Sequence, residues 1–294
     1  MSEKMPFYGG QALIEGVLMR GSQVAVATIK DFNGQIHIHH EPLTGIYQGN
    51  LKNIPFLRGI IALWDAIVLG SRFLTMSANH QLENPDEHIK GPSLFFTFFI
   101  SFAIGILLFF IAPAYLCDIL EKWLQINPWV GNLIEGLMRV LILIVYLVSI
   151  RRNDEILRVF KYHGAEHKTI NTYEANLPLT VENVSKSSLV HPRCGTSFLL
   201  TVVLFSIILF SLLGPLPVIW RLVSRLLFII PLTSISYEYI RWSAKHLNNP
   251  FVSVLITPNL WLQKLTTSDP TDEMMEIGIT SLNEVIKRES LIVS

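Results

Sequence analysis

Long apolar runs separated by polar segments dominate the pattern of the chain. Residues 93–117 form 25 consecutive positions without a charge, and about 20 predominantly apolar residues are enough for a helix to cross the hydrocarbon core of a bilayer. Three further apolar runs follow at 129–150, 197–213 and 218–237. The pattern therefore predicts a mainly α-helical, multi-pass membrane protein with four transmembrane helices.

The N-terminal part alternates between apolar and polar residues, as half-buried strands do. Residues 23–30 (QVAVATIK) and 35–41 (QIHIHHE) alternate in this way. The Asn33-Gly34 dipeptide between them is typical of a tight hairpin turn. We therefore expect a small β-rich cap over residues 1–53, on the cytoplasmic side of the membrane.

Residues 54–78 are predicted to form a helix of mixed character. Arg58, Asp65 and Arg72 recur every seven positions and give a narrow polar stripe on an otherwise apolar surface. Such a helix lies in the membrane interface or packs against other helices, so we do not count it as a span. A polar loop at 79–92 follows it.

The segment between the second and third predicted spans, residues 151–196, contains the strongest candidate chemistry. It opens with a predicted helix that Asn153 can cap and that carries His163, Glu166 and His167. Histidines four positions apart lie on one helix face with side chains about 6 Å apart, which suits two ligands of one divalent metal ion. The His-x-x-Glu-His order is that of the inverted zincins, in which the glutamate is the base for a metal-bound water.

Further candidate ligands lie in the same segment. Glu174 is eleven positions after His163 and returns to the same helix face, and His191 and Cys194 follow just before the third span. Zinc accepts imidazole, thiolate and carboxylate ligands. A catalytic site would use three of these ligands, a structural site would use four, and a hydrogen-bonded polar cluster without a metal is the third possibility. The metal-ligand candidates are His163, His167, Glu174, His191 and Cys194.

A catalytic metal assigns roles to three further side chains. Glu166 would take a proton from the bound water, and Arg193 or Lys168 would stabilise developing negative charge. The reaction would be hydrolysis of a peptide, amide or phosphoester bond, and no feature of the sequence selects among these. A second histidine pair, His37 and His39, shares one face of the cap's second predicted strand; we interpret these residues as exposed polar side chains rather than as ligands.

Composition and charge agree with a membrane protein. Half of the residues are hydrophobic, only 16% are charged, and the formal net charge is zero, which argues against nucleic acid as a partner. The two cysteines, Cys117 and Cys194, fall on opposite sides of the predicted membrane, so we expect no disulfide. The N-terminal segment, MSEKMPFYGGQ, has no apolar core and is not expected to be a signal peptide.

Basic residues set the predicted orientation. Residues 151–196 carry seven lysines and arginines and residues 1–92 also carry seven, whereas Lys122 is the only one in 118–128. We therefore expect a protein of the cytoplasmic membrane with both termini and the central segment in the cytoplasm.

Four motifs resemble one family. YGGQALIEGVLMRG at 8–21, YHGAEHKTINTYE at 162–174, HPRCGTSFLL at 191–200 and LQKLTT at 262–267, with Pro270 close behind, are similar to the YqhQ-like bacterial membrane proteins, the family of domain of unknown function 1385. The resemblance covers nearly the whole chain. It implies a multi-pass membrane protein that is sometimes labelled a predicted metal-dependent enzyme, without an established reaction.

The sequence thus predicts a metal-dependent hydrolase, with zinc as the expected ion, at the cytoplasmic face of the bilayer. The alternative is a non-enzymatic scaffold or assembly factor, with a structural metal or a polar cluster, that binds a protein partner. A transporter is disfavoured because the charged residues of the spans lie near the span ends. The predicted segments are 1–53 (N-terminal cap), 54–92 (interfacial helix and loop), 93–150 (first two transmembrane helices), 151–196 (cytoplasmic His/Cys loop), 197–238 (last two transmembrane helices) and 239–294 (C-terminal cytoplasmic helices).

Overall fold

The computed structural model describes residues 8–45, 49, 54–214 and 216–293. The N-terminal segment in which no signal peptide is expected lies partly outside these ranges, and Pro215 also lies outside them. The strands are β1 (Gly9–Leu13), β2 (Gly16–Arg20), β3 (Val24–Lys30) and β4 (Ile36–Pro42). The helices are α1 (Leu57–Asn79), α2 (Gly91–Ile106), α3 (Ala112–Leu124), α4 (Pro128–Ile150), α5 (Asp154–Glu174), α6 (Val181–Lys186), α7 (Gly195–Leu212), α8 (Val218–Leu227), α9 (Ile229–Lys245), α10 (Pro250–Thr266) and α11 (Asp272–Val293).

The chain divides into two compact units, each assembled from separate stretches of sequence. The first, which we call the polar unit, comprises Met1–Ile89, Arg151–Cys194 and Gln263–Ser294. The second, the apolar unit, comprises Lys90–Ile150 and Gly195–Leu262. The N-terminal cap, the His/Cys segment and the C-terminal helix, which are distant in sequence, are thus parts of one folded body.

The polar unit is built on a four-stranded antiparallel sheet in the order β1-β2-β3-β4. The predicted hairpin is confirmed as β3 and β4, and Gly34 in the turn between them has a positive φ of 84°, a backbone conformation that glycine adopts without steric cost. Each strand presents alternate side chains to opposite faces, and both faces of β2 and β3 are covered.

Two apolar cores flank the sheet. On one face Val17 and Met19 of β2 pack with residues of α5 and α11, and on the other face Leu18 packs with Leu69 and Phe73 of α1. The helix α5 is therefore buried because the sheet and α11 enclose it, although its own sequence is not strongly apolar.

The helix predicted at 54–78 is α1, and its polar stripe has partners in the sheet. Asp65 pairs with Arg20 at 2.6 Å, and Arg72 pairs with Glu41 at 2.7 Å. By length and composition α1 is also apolar enough to cross a membrane, although its polar stripe predicted an interfacial or packed helix.

The apolar unit contains the other candidate spans. Among the described residues, Leu94–Leu124, α4 and α7 are each long and apolar enough to cross a membrane, in agreement with the first three predicted spans. A π-helical turn at Leu107–Ile111 joins α2 to α3, so helix extends through residues 118–124, which were predicted to be loop. The fourth predicted span, 218–237, falls on α8 and α9, which together are apolar enough to cross a membrane but are bent by 46° at a short break, as in a broken span or a re-entrant loop.

The start of the C-terminal helix also differs from the prediction. In the sequence, Pro270 is a favoured first-turn residue and predicts a helix that begins near it with Ser268 or Asp269 as its cap. In the structure α11 begins at Asp272. The Thr271 hydroxyl accepts a hydrogen bond from the Met274 amide at 3.4 Å, so Thr271 takes the capping role and Pro270 precedes the helix.

Candidate metal centre

The helix α5 carries the His-x-x-Glu-His residues deep inside the polar unit. Asn153 caps it as predicted, because its side chain accepts hydrogen bonds from the amides of Glu155 and Ile156 at 2.9 and 3.1 Å. Every residue from Gly164 to Ile170 is buried. A helix buried on all sides holds its polar side chains in fixed positions, which favours a preorganised site.

Two glycines let other backbone segments approach this helix. A Cβ atom at Gly164 would lie 2.1 Å from the Ser268 carbonyl oxygen, and one at Gly10 of β1 would lie 2.5 Å from Cγ of Glu166. Neither separation is possible for real atoms. The glycines are therefore needed where the connection between α10 and α11, and strand β1, meet α5.

The two histidines of α5 have converging rings with defined tautomers. The ring centroids of His163 and His167 are 4.3 Å apart at an interplanar angle of 63°. Nδ1 of His163 lies 2.9 Å from the Thr266 carbonyl oxygen, and Nδ1 of His167 lies 2.6 Å from that of Leu189. Because a carbonyl oxygen only accepts, each Nδ1 carries a proton, and in the neutral imidazole the lone pair is then on Nε2. This arrangement is the usual one for a histidine ligand of a metal ion.

Cys194 brings a sulfur atom to the same point. Its Sγ lies 3.2 Å from Nε2 of His163, and the ligand atoms of His163, His167 and Cys194 are all within 4.8 Å of one another. Bond lengths of about 2.0–2.3 Å in a tetrahedral zinc site place ligand atoms roughly 3.3–3.8 Å apart. The observed spacing is compatible with one shared ion after small side-chain movements. Both cysteines are free thiols, as expected.

Glu166 lies beside this cluster. It is only 4% exposed, and its Oε2 is 3.5 Å from Nε2 of His167. Burial raises the pKa of the Glu166 carboxyl, and nearby His163 and His191 oppose that rise. A carboxyl group so placed can exchange a proton with a molecule bound next to His167.

Glu174 and His191, two of the candidate ligands, contact each other at the edge of the cluster, where the His191 ring centroid lies 5.9 Å from that of His167. Nε2 of His191 lies 3.3 Å from Oε2 of Glu174, and Arg193 hydrogen bonds to the other carboxylate oxygen. Burial would raise the pKa of Glu174, but His191 and Arg193 outweigh that effect and hold it below its ordinary value. Glu174 therefore has its own cationic partners, and the structure brings Cys194 rather than Glu174 to the two histidines of α5.

Lys168, a candidate for charge stabilisation, is directed at the C-terminal end of α6. Its Nζ donates to the carbonyl oxygens of Ser185 and Ser187 at 2.8 and 2.9 Å. The side chain is buried, so its contacts tie the end of α6 to α5.

Sequence reasoning missed the groups that position the site. The side-chain amide of Gln263 accepts from the His191 backbone N–H at 2.8 Å and donates to the His191 carbonyl at 2.9 Å. The Thr266 carbonyl contacts His163, so two groups at the end of α10 position His163 and His191. The LQKLTT motif that contains Gln263 and Thr266 was noted in the sequence, but no periodicity links it to α5.

Comparisons with known proteins give a family and no activity. A family model described as "Protein of unknown function (DUF1385)" matches residues 54–288, a range that includes all the candidate site residues. The chain is 34% identical over 304 aligned positions to a Bacillus subtilis (strain 168) protein described as "Uncharacterized protein YqhQ", and the alignment covers 97% of this chain and 94% of that protein. No solved structure matches.

Proposed function

The chain belongs to the DUF1385 family of proteins of unknown function, and from that premise we propose that it is a membrane-embedded, metal-dependent hydrolase. His163, His167 and Cys194 would hold one divalent ion, with zinc favoured by the mixture of nitrogen and sulfur ligands. The observation that carries the proposal is the convergence of three ligand atoms within 4.8 Å of one another, with both imidazoles oriented through Nδ1 by backbone carbonyls.

The number of ligands favours catalysis over a purely structural site. Structural zinc sites usually have four protein ligands, whereas catalytic sites have three and leave one position for water. Glu174 and His191, which would have completed a closed set, contact each other. When bound, the ion would lower the pKa of a bound water to about 7.

Glu166 is assigned the role of general base. It would take a proton from water held beside His167 and pass it to the leaving group, so that hydroxide adds to the scissile carbonyl or phosphoryl group. Arg193 lies in the same segment and is about one quarter exposed, so it is the better placed of the two proposed cations to meet a substrate's negative charge. Lys168 is buried against two carbonyls.

The proposed location is the cytoplasmic membrane, with both termini and the site on the cytoplasmic side. This orientation is supported by the seven basic residues of 151–196 against one in 118–128. The partners would be the bilayer and a substrate or protein that reaches the cytoplasmic face.

Metal analysis of the purified full-length protein tests the proposal. After incubation with zinc and gel filtration, we expect about one zinc ion per chain, with loss of the ion in His163→Ala and in Cys194→Ala. His40→Ala is the matched control, because His40 is an exposed histidine of the same unit. A wild-type protein that retains no more metal than His163→Ala contradicts every metal-dependent function.

The second candidate function is a scaffold in which the same ion is structural. The observation that favours it is burial, because His167 and Glu166 are only 1% and 4% exposed. Cobalt substitution distinguishes the two. An open coordination position lets acetohydroxamate change the visible spectrum of the cobalt protein, and Glu166→Gln should keep the metal. A spectrum that acetohydroxamate leaves unchanged supports the closed, structural site.

A further inference from the structure

The apolar unit contains a network of charged side chains that the metal centre does not use. Glu135 and Arg139 of α4 and Arg225 of α8 are each about 1% exposed. Arg225 donates to both carboxylate oxygens of Glu135, at 2.8 and 2.6 Å, and Arg139 donates to one of them at 2.5 Å. Arg139 is the twelfth of the 23 residues of α4, so this charge lies at the middle of a candidate span. The prediction that the charged residues of the spans lie near the span ends is therefore wrong for Arg139.

A second pair lies closer to the end of the same unit. Nη2 of Arg221 lies 3.0 and 2.9 Å from the two carboxylate oxygens of Glu121. Arg221 is only 2% exposed, and its buried Nε and Nη1 atoms have no hydrogen-bond partner among the residues that the structure describes. Buried guanidinium donors without an acceptor are costly, so these atoms indicate a missing acceptor.

The charges of the two groups do not balance. Three guanidinium groups, those of Arg139, Arg221 and Arg225, face two carboxylates, those of Glu121 and Glu135. The neighbouring Lys122 and Asp118 pair with each other at 2.6 Å and add no net charge. Arginine does not lose its proton in proteins, so one positive charge remains in an apolar body, where an unpaired charge is strongly disfavoured.

Exposed tryptophans mark the depth of the unpartnered donors. Arg221 is the fourth residue of α8, and Glu121 lies in the last turn of α3. Trp123, Trp129 and Trp220, near the ends of α3, α4 and α8, are more than half exposed. Exposed tryptophans collect at the level of the lipid headgroups, which is where phosphate groups lie.

We propose that Arg221, supported by the excess positive charge of the Glu135–Arg139–Arg225 network, binds a phosphate oxyanion at this end of the apolar unit. Guanidinium N–H groups donate strong, charge-assisted hydrogen bonds to phosphate oxygens, and basic pockets between membrane helices bind anionic headgroups. The inference rests on the membrane insertion proposed above and is independent of the metal centre.

Binding measurements with defined probes test it. The full-length protein in a neutral detergent is titrated with dioctanoyl phosphatidylglycerol, with dioctanoyl phosphatidylcholine, and with sodium phosphate against sodium chloride at equal ionic strength. Saturable binding of phosphatidylglycerol alone identifies a lipid headgroup, and displacement of that lipid by sodium phosphate identifies a site that accepts the bare anion. Because a metal ion also binds phosphate, each titration is repeated with His163→Ala.

Two variants should change the affinity in opposite directions. Arg221→Gln is expected to weaken binding of the anionic probe by about tenfold, and Glu121→Gln is expected to strengthen it, because it raises the excess charge. Lys122→Gln removes an exposed charge at the same end and should change affinity by less than about twofold.

The proposal is overturned if wild-type protein binds neither anionic probe, or if Arg221→Gln binds as tightly as wild type. If Arg221→Gln does not fold, Glu121→Gln decides, since an affinity equal to or weaker than that of wild type contradicts an anion held by excess positive charge. Loss of folding cannot produce the tighter binding expected for Glu121→Gln.

Discussion

Glu15, in the turn between β1 and β2, joins the sheet to α5. Its carboxylate accepts from Nε and Nη2 of Arg158 at 2.6 Å each and from the Tyr162 hydroxyl at 3.2 Å. Burial would raise its pKa, but the bonds and charge of Arg158, with Tyr162 and Lys30, outweigh that effect and hold the pKa below its ordinary value. Ionised Glu15 therefore stabilises the fold above the unfolded pKa, and this stabilisation is lost as the pH falls through the lower, folded value.

Acid unfolding of a Glu15→Gln variant tests this. Between about pH 6 and pH 3 the wild type should lose more of its free energy of unfolding than Glu15→Gln does, because only the wild type has this carboxylate to protonate. Chemical denaturation at each pH measures the difference. Glu182→Gln, at an exposed glutamate, is the control and should have the same pH dependence as the wild type. If the free energies of unfolding of Glu15→Gln and wild type fall equally with pH, the ion pair does not contribute to stability.

The residue scale also shows where sequence reasoning succeeded and where it stopped. The four-residue spacing of His163 and His167 predicted a shared face, because that spacing is a local property of a helix. Choosing among Glu174, His191 and Cys194 was not possible from the sequence. The choice depends on the path by which residues 175–194 come back to α5. Groups distant in sequence determine that path, and one of them is the side-chain amide of Gln263, which binds the backbone of His191.

Gly164 tests how closely the elements of the polar unit must pack. Gly164→Ala places a Cβ atom 2.1 Å from the Ser268 carbonyl oxygen and 2.9 Å from the Leu189 side chain, so the α10–α11 connection must move. We expect a loss of about 2–4 kcal/mol in the free energy of unfolding and weaker zinc retention, because Leu189 and Thr266 also orient the two histidines. Gly105→Ala is the control, since nothing lies within 4 Å of its Cβ position; equal stabilities for the two variants would contradict the close approach.

At the scale of elements, the periodicity of apolar residues predicted whether a segment is a helix or a strand better than it predicted where a helix is interrupted. The alternation of β3 and β4 and the seven-residue stripe of α1 were recognisable because one face of each meets a different environment. The bend at Phe228 between α8 and α9 was not, since 218–237 reads as one continuous apolar run. Arg221 and Arg225 pair with Glu121 and Glu135 on neighbouring helices, and these ion pairs between helices were not recognisable from the pattern either.

At the scale of the whole molecule, the sequence did not show that three separate segments assemble into the polar unit. Residues 1–53, 151–196 and the C-terminal helix were predicted as separate segments, and their joint core, with Val17, Tyr162 and Leu282 as members, could not be read from local pattern. The apolar runs between them were visible because composition alone identifies a helix able to span a bilayer. Long-range packing was the missing information in each case.

The distribution of basic residues predicts on which side of the membrane each connecting segment lies. If the orientation follows the basic residues, Lys122 lies outside the cytoplasm and Glu182 lies within it. Lys122→Cys should react with a membrane-impermeant maleimide in intact cells, whereas Glu182→Cys should react only after lysis; both positions are well exposed in the structure. The native thiols provide a low background, because Cys117 and Cys194 are 1% and 6% exposed. Labelling of Glu182→Cys but not of Lys122→Cys in intact cells would reverse the topology and move the proposed hydrolase site to the opposite face of the membrane.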